Sequence, residues 1–323
     1  MPCPKEISKI AIIGTGVIGN GWIARCLAHG MEVVATDPAP GAEEKTREAL
    51  RLAWPSLEKT GLAVGASPDN LFFEKEISAA VKDADLIQEN VPEKLDLKHQ
   101  VLGEISQHAK PEAIIASSTS GITPSTLQQA CRNPEQVLVA HPFNPVYLLP
   151  LVELVAGKQT DPQVVKRAEK FYQTISMKPL IVRKEVEGHV ADRLMEALWR
   201  EALHIVNEDI ATTEEVDAAI IYGAGLRWAQ MGPFLTFHMA GGDAGMRHML
   251  EQFGPALKLP WTKLEAPELT ETLKEKVIDG CETHAGGSAV ADLAHRRDQF
   301  LTEVLSLAQK HWPEPQTIMN ENR

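Results

Sequence analysis

Residues 7–37 read ISKIAIIGTGVIGNGWIARCLAHGMEVVATD, and this stretch decides the fold. ISKIAIIG is a short run rich in β-branched residues that stops at a glycine. GVIGNGWIARCLAHG has apolar residues at helical spacing and stops at Gly30, and MEVVATD is strand-like again. Strand, helix and strand within about 30 residues is the size of a right-handed parallel crossover. Gly14, Gly16 and Gly19 fall where strand gives way to helix, in the spacing GxGxxG. Such glycines allow a tight turn and a close approach by pyrophosphate, and the helix amino end supplies N–H groups and a positive dipole. Thr15, Val17 and Ile18 lie between them and contribute mainly backbone. Asp37 closes the next strand, where a carboxylate accepts from both hydroxyls of an adenosine ribose and repels a 2′-phosphate. The PAP that follows brings no arginine to compensate, so the expected cofactor is NAD rather than NADP. FAD shares the fingerprint, and the rest of the chain decides between them.

Outward from this unit, LFFEK, DLIQEN, AIIASS, QVLVAH, LVELVA and PLIVRKEV read as further short strands. Helical patterns such as KLDLKHQVLGEISQHA and DPQVVKRAEKFYQTI separate them. The alternation predicts an α/β, Rossmann-type, doubly wound and mainly parallel sheet over residues 1–186. Beyond that point the texture changes to helical periods: GHVADRLMEALWREALHIVNEDI, EEVDAAIIYGAG, GDAGMRHMLEQFG and AVADLAHRRDQFLTEVLSLAQKH. Thr212 and Glu215 form a capping box for one of these helices. Residues 187–323 are therefore expected to be an all-helical domain, with about the last dozen residues loose.

A chain of 323 residues suits two domains better than one. No window approaches the roughly 18 apolar residues that a membrane span needs, and the start MPCPKEISKI lacks the pattern of a secretory leader. Cytoplasm is the expected compartment. With 44 acidic and 32 basic side chains the formal charge is −12, which disfavours nucleic acid and anionic membranes as partners. Cys3, Cys26, Cys131 and Cys281 lie far apart, so neither a metal site nor a disulfide framework is expected.

A hydride leaving a carbinol carbon must be accompanied by loss of the hydroxyl proton, which in the absence of a metal calls for a base of near-neutral pKa. QVLVAH puts His141 at the carboxyl end of a strand, the edge of an open sheet where ligands bind. Glu153 lies in the next strand, after a proline-rich excursion that returns the chain beside the histidine. A carboxylate on one imidazole nitrogen fixes the tautomer and raises the basicity of the other.

With SSTSG, HPFNP, LVELV and ADRLMEAL in family order and spacing, the sequence resembles the 3-hydroxyacyl-CoA dehydrogenase superfamily over nearly its whole length. The resemblance implies that His141 is the base, Glu153 its partner, and Ser120 and Asn144 polar contacts to the reacting oxygen or nearby substrate atoms. ENVPEKLDLK resembles the family segment that approaches the nicotinamide ribose, which assigns that role to Glu93 and Lys98. A homodimer built through the helical domain is implied as well. GLRWAQMGPF and AGGDAGMRHMLEQFGP resemble those members that act on a quaternary-ammonium 3-hydroxy acid. Such a cation has no N–H donor, so aromatic faces and acids must recognise it, a desolvated cation-π contact contributing about 2 kcal/mol. Phe143, Trp228 and Phe253 are the candidate aromatics. Asp192 stands where acyl-CoA members of the family usually carry asparagine, and suits a cation better than a thioester; alternatively it caps the helix or pairs with Arg193. The rival readings are a dehydrogenase for L-gulonate or a 3-hydroxyacyl-CoA, and a non-catalytic, crystallin-like NADH-binding protein.

Overall fold

The computed structural model describes residues 7–229, 232–241, 245–255, 259–263, 268, 270–273 and 290–311. They form two compact units, Met1–Arg193 and Leu194–Arg323.

The first unit is an eight-stranded sheet whose strands follow the runs expected from the sequence. They are β1 (Lys9–Ile13), β2 (Glu32–Thr36), β3 (Leu71–Phe73), β4 (Leu86–Glu89), β5 (Ile114–Ser117), β6 (Val137–Pro142), β7 (Leu151–Ala156) and β8 (Lys178–Val182). Their spatial order is β3-β2-β1-β4-β5-β6-β7-β8. All neighbours pair in parallel except β6 and β7, which are antiparallel. The central strands are apolar on both faces because both are covered, as parallel sheets require. Ile10, Ile12, Leu138 and Ala140 pack with helices α1 (Val17–Ala28), α2 (Ala42–Thr60) and α6 (Pro162–Thr174). Ala11, Ile13, Val137 and Val139 pack on the other face with α3 (Ile77–Val81), α4 (Leu95–His108) and α5 (Pro124–Leu127). Each of these valines, leucines and isoleucines taken fully out of water contributes about 1.5–3 kcal/mol.

The second unit carries most of α7 (Ala191–Asn207), then α8 (Thr213–Ala219), α9 (Gly225–Trp228), α10 (Pro233–Ala240), α11 (Gly245–Phe253) and a helix over Val290–His311, with no strand among the described residues. The expected capping box is present: the Thr212 hydroxyl accepts from Glu215 N, and the Glu215 carboxylate accepts from Thr212 N. EEVDAAIIYGAG is not one regular helix. α8 passes into a π-helical turn over Ile220–Ala224, where Gly223 departs from helical geometry at φ −110° and ψ −107°. Leu194, Met195, Leu198 and Trp199 form an exposed apolar stripe on α7, while Leu203 and Val206 are buried.

Candidate active site

The strand order reverses at β1, with β2 and β3 on one side and the remaining strands on the other, so the carboxyl ends of β1 and β4 border the crevice in which open α/β sheets bind ligands. The glycine loop fills this point. Gly14 has φ +88°, and a Cβ there would stand 3.0 Å from the Asn90 backbone at the end of β4. A Cβ on Gly19 would lie 2.0 Å from the Gly14 carbonyl oxygen, so this glycine lets α1 pack against its own entry turn. Gly16 meets nothing within 4 Å, which leaves the amino end of α1 open to a ligand. No acidic residue stands in the first turn of α1 and no side chain caps it, and Val17 at its mouth is 70% exposed. Asp37 is held in place: Oδ2 accepts from Thr15 N at 2.8 Å and from the Thr15 hydroxyl at 3.3 Å, and Oδ1 accepts from Ala39 N at 2.9 Å. Thr15 thus contributes its side chain as well, where the sequence suggested mainly backbone. An open, donor-rich helix end beside a fixed carboxylate fits a dinucleotide.

Behind the loop after β4 lies an ion pair that the sequence did not single out. Lys98 is 1% exposed, and its Nζ donates to Glu89 Oε1 at 2.9 Å, Glu89 Oε2 at 3.2 Å and the Val91 carbonyl at 3.0 Å. Glu89 also accepts from Val91 N at 2.6 Å and from the Ser117 hydroxyl at 2.5 Å. Glu93 Oε2 lies 3.3 Å from the same ammonium, and the Thr119 hydroxyl and Gly121 N donate to Oε1. Burial alone would raise the Glu93 pKa, but the Thr119 hydroxyl, the Lys98 charge and the Gly121 N–H outweigh it and hold it below the usual carboxylate range. Lys98 therefore sits beneath the segment that presents Glu93, the half-exposed member of the pair. The only sequence signal for Glu89 was its place at the end of an apolar strand.

His141 and Glu153 face each other directly in the β6–β7 register. Antiparallel pairing makes cross-strand partners of residues on either side of the 143–150 excursion, and strand alternation puts both side chains on the face that packs α4 and α5. His141 Nδ1 and Glu153 Oε2 are 2.9 Å apart, and Glu153 Oε1 accepts from Val190 N and Ala191 N at 2.9 Å each. Burial pushes the Glu153 carboxyl up, but His141 and the two backbone N–H groups together hold it below its ordinary value. With the carboxylate accepting from Nδ1–H, Nε2 carries the free lone pair. Asp192 Oδ2 lies 3.6 Å from that Nε2. The Phe143 ring stands edge-on to His141 at 5.4 Å, and the His189 ring lies 5.5 Å away. His189 is buried, has φ +47° and directs Nε2 toward the Thr119 carbonyl at 3.3 Å.

Arg25, on the same helix as the glycine loop, fixes the excursion that carries Phe143 and Asn144. Its guanidinium is buried and donates to the carbonyls of Val146 at 2.7 Å, Leu149 at 3.3 Å, Ile175 at 3.0 Å and Ser176 at 3.3 Å. Burial lowers its pKa to about 10. Ser120 follows β5 and is exposed, Asn144 is exposed, and Phe143 is half-buried. Trp228 ends α9 and is 43% exposed. The side chain of Phe253 lies outside the described residues. The geometry thus brings His141, Glu153, Asp192 and Phe143 together, and separately gathers Gly14, Gly16, Gly19 and Asp37.

Fold and crevice define the class: this is a dinucleotide-dependent oxidoreductase. The model of the 3-hydroxyacyl-CoA dehydrogenase NAD binding domain matches residues 9–186, and that of the 3-hydroxyacyl-CoA dehydrogenase C-terminal domain matches residues 188–280. The chain belongs to the 3-hydroxyacyl-CoA dehydrogenase family, with NAD as its cofactor and a CH–OH group as the site of oxidation. It is 63% identical over 309 residues to an L-carnitine dehydrogenase of Bacillus cereus, covering 96% of this chain and 95% of that one. It is 64% identical over 307 residues to an L-carnitine dehydrogenase of Oceanobacillus iheyensis, covering 95% of this chain and all of the other (100%). Among solved structures, a 5-formyl-3-hydroxy-2-methylpyridine 4-carboxylic acid 5-dehydrogenase, an NAD+ dependent dismutase, superposes with a TM-score of 0.80 at 30% identity, covering 94% of this chain and 99% of that one. M. tuberculosis FadB2 gives a TM-score of 0.65 at 25% identity, with 85% and 95% covered.

Proposed function

We propose that this chain oxidises the 3-hydroxyl of L-carnitine to 3-dehydrocarnitine, with His141 as the general base and Glu153 as the group that orients it. The observation that supports this reading is the buried His141–Glu153 contact at 2.9 Å, since a carboxylate accepting from Nδ1–H would leave Nε2 to take the proton. Support for the substrate comes from the L-carnitine dehydrogenases that share 53–64% of their residues with this chain.

Bound NAD supplies the acceptor for the hydride of the carbinol carbon. His141 Nε2 takes the hydroxyl proton, and Glu153 steadies the imidazolium that results. Ser120 and Asn144 contact the reacting oxygen or its neighbours. Gly14, Gly16, Gly19 and the backbone of Thr15, Val17 and Ile18 hold the pyrophosphate, Asp37 the adenosine ribose, and Glu93, supported by Lys98, the nicotinamide ribose. Phe143, Trp228 and Phe253 offer aromatic faces to the trimethylammonium group. Residues 1–186 act as the cofactor-binding domain and 187–323 as the substrate-closing and dimerisation domain, the exposed α7 stripe being a motive for a homodimer. The working compartment is the cytoplasm.

Initial rates of NADH formation with L-carnitine, L-gulonate and 3-hydroxybutyryl-CoA test the substrate. A dominant rate with L-carnitine is expected, and none at millimolar L-carnitine refutes it. His141→Ala is expected to keep NADH binding and lose turnover by several orders of magnitude.

A further inference from the structure

We propose that Asp192 is the counter-charge for the quaternary ammonium, and so the residue that sets the preference for a 3-hydroxy acid bearing that cation over the carbon isostere that lacks it. This rests on the carnitine reading above and names what in the site recognises the cation.

The first step is covalent geometry. The substrate hydroxyl must reach His141 Nε2, and the carboxylate of Asp192 stands 3.6 Å from that nitrogen with its side chain 17% exposed. In carnitine the ammonium nitrogen is bonded to the carbon next to the carbinol, so ordinary bond lengths keep it about 3–4 Å from the hydroxyl oxygen. A pose that delivers the hydroxyl to Nε2 therefore keeps the cation within about 10 Å of Asp192, and one that turns the ammonium to the Asp192 side brings the two charges into contact. A quaternary ammonium donates no hydrogen bond, so its attraction to a carboxylate is purely coulombic and needs proximity alone.

The second step is charge. Proton transfer to His141 creates an imidazolium beside a permanently charged ammonium, while the carbinol carbon becomes electron-poor as hydride departs. Glu153 steadies the imidazolium from its Nδ1 side but does not face the ammonium. It is fully buried on the far side of the ring, with Oε2 held by Nδ1 and Oε1 by two backbone N–H groups. Asp192 puts the second negative charge on the substrate side, against the nitrogen that gains the proton. Phe143, edge-on to the same imidazole at 5.4 Å, adds an aromatic surface beside it.

Fluorescence titration of the enzyme–NADH complex tests the idea without turnover. The ligands are 4-trimethylammoniobutanoate, which is carnitine without its hydroxyl, and 5,5-dimethylhexanoate, its carbon isostere with an uncharged tert-butyl end. In Asp192→Asn the dissociation constant of the cation is expected to rise about tenfold or more, a screened charge–charge effect at this range, while that of the isostere stays level or falls. Asp192→Glu should retain the order of preference, and Asp192→Ser repeats the experiment should the asparagine variant fail to bind NADH. Equal weakening of both ligands, or no change in either, overturns the proposal. If wild-type protein forms no NADH with L-carnitine, the substrate reading itself falls, so the two failures are distinguishable.

Discussion

Replacing Glu153 by glutamine changes one oxygen to an amide nitrogen, and the geometry specifies the consequence. Glu153 accepts three hydrogen bonds, two at Oε1 from Val190 N and Ala191 N and one at Oε2 from His141. A glutamine has one carbonyl oxygen. Turning that oxygen toward His141 would strip two buried N–H groups of their partner, at about 1–3 kcal/mol each. The amide should therefore face its oxygen to the backbone and its NH2 to His141 Nδ1. Nδ1 must then accept, the ring proton moves to Nε2, and the base loses the lone pair that takes the hydroxyl proton. The expected loss in kcat is about 10³–10⁴-fold, the scale found when the carboxylate behind a catalytic histidine becomes an amide. In barrier height this is about 4–5.5 kcal/mol. Folding should lose about 1–3 kcal/mol, since one charge-assisted hydrogen bond is replaced and two are weakened. The assay is the initial rate of NADH formation with L-carnitine, alongside NADH affinity by fluorescence and the imidazole tautomer by nitrogen NMR. A variant within about tenfold of wild-type kcat/KM, with His141 still protonated on Nδ1, would refute the orienting role of the carboxylate.

Lys98→Met should leave Glu89 as an uncompensated buried charge and cost about 3–5 kcal/mol in urea unfolding; a midpoint equal to that of wild type would show that water reaches the site. Arg25→Met removes donors from four carbonyls and should cost about 2–4 kcal/mol, with a higher KM because the 143–150 excursion is released from α1; unchanged stability and KM would contradict the clamp. Acid unfolding should follow Glu153, Glu93 and Asp85, each held below the ordinary carboxylate range by its partners despite the opposing effect of burial. Folded pKa values depressed in this way give stability that is complete above about pH 5 and is lost as pH falls through them. Asp85→Asn, which removes the titrating charge paired with Lys110 while leaving one oxygen for Ser8 N and Lys9 N, should flatten that decline. A wild-type urea midpoint that does not fall between about pH 5 and pH 3 would contradict the assignment.

The sequence by itself determined the strand–helix–strand unit at residues 7–37, the positions of all eight strands, the Thr212 capping box and the candidacy of His141 and Glu153. These are written in neighbouring residues: apolar periodicity, a glycine where a turn needs left-handed backbone, a hydroxyl three residues before a carboxylate. What only the tertiary structure decided depends on register and on chain returning from far away. The antiparallel turn between β6 and β7 makes His141 and Glu153 direct partners, when parallel pairing would have separated them along the sheet. Burial of Glu89 under Lys98 depends on α4 lying across the end of β4, and no local pattern distinguishes that glutamate from a solvated one. Arg25 reads as an ordinary helix-surface cation until the 143–150 excursion and the end of α6 wrap over it with their carbonyls. Asp192 likewise has meaning only because the chain after β8 returns to the carboxyl edge of β6, where the lone pair of one imidazole and the charge of one carboxylate meet.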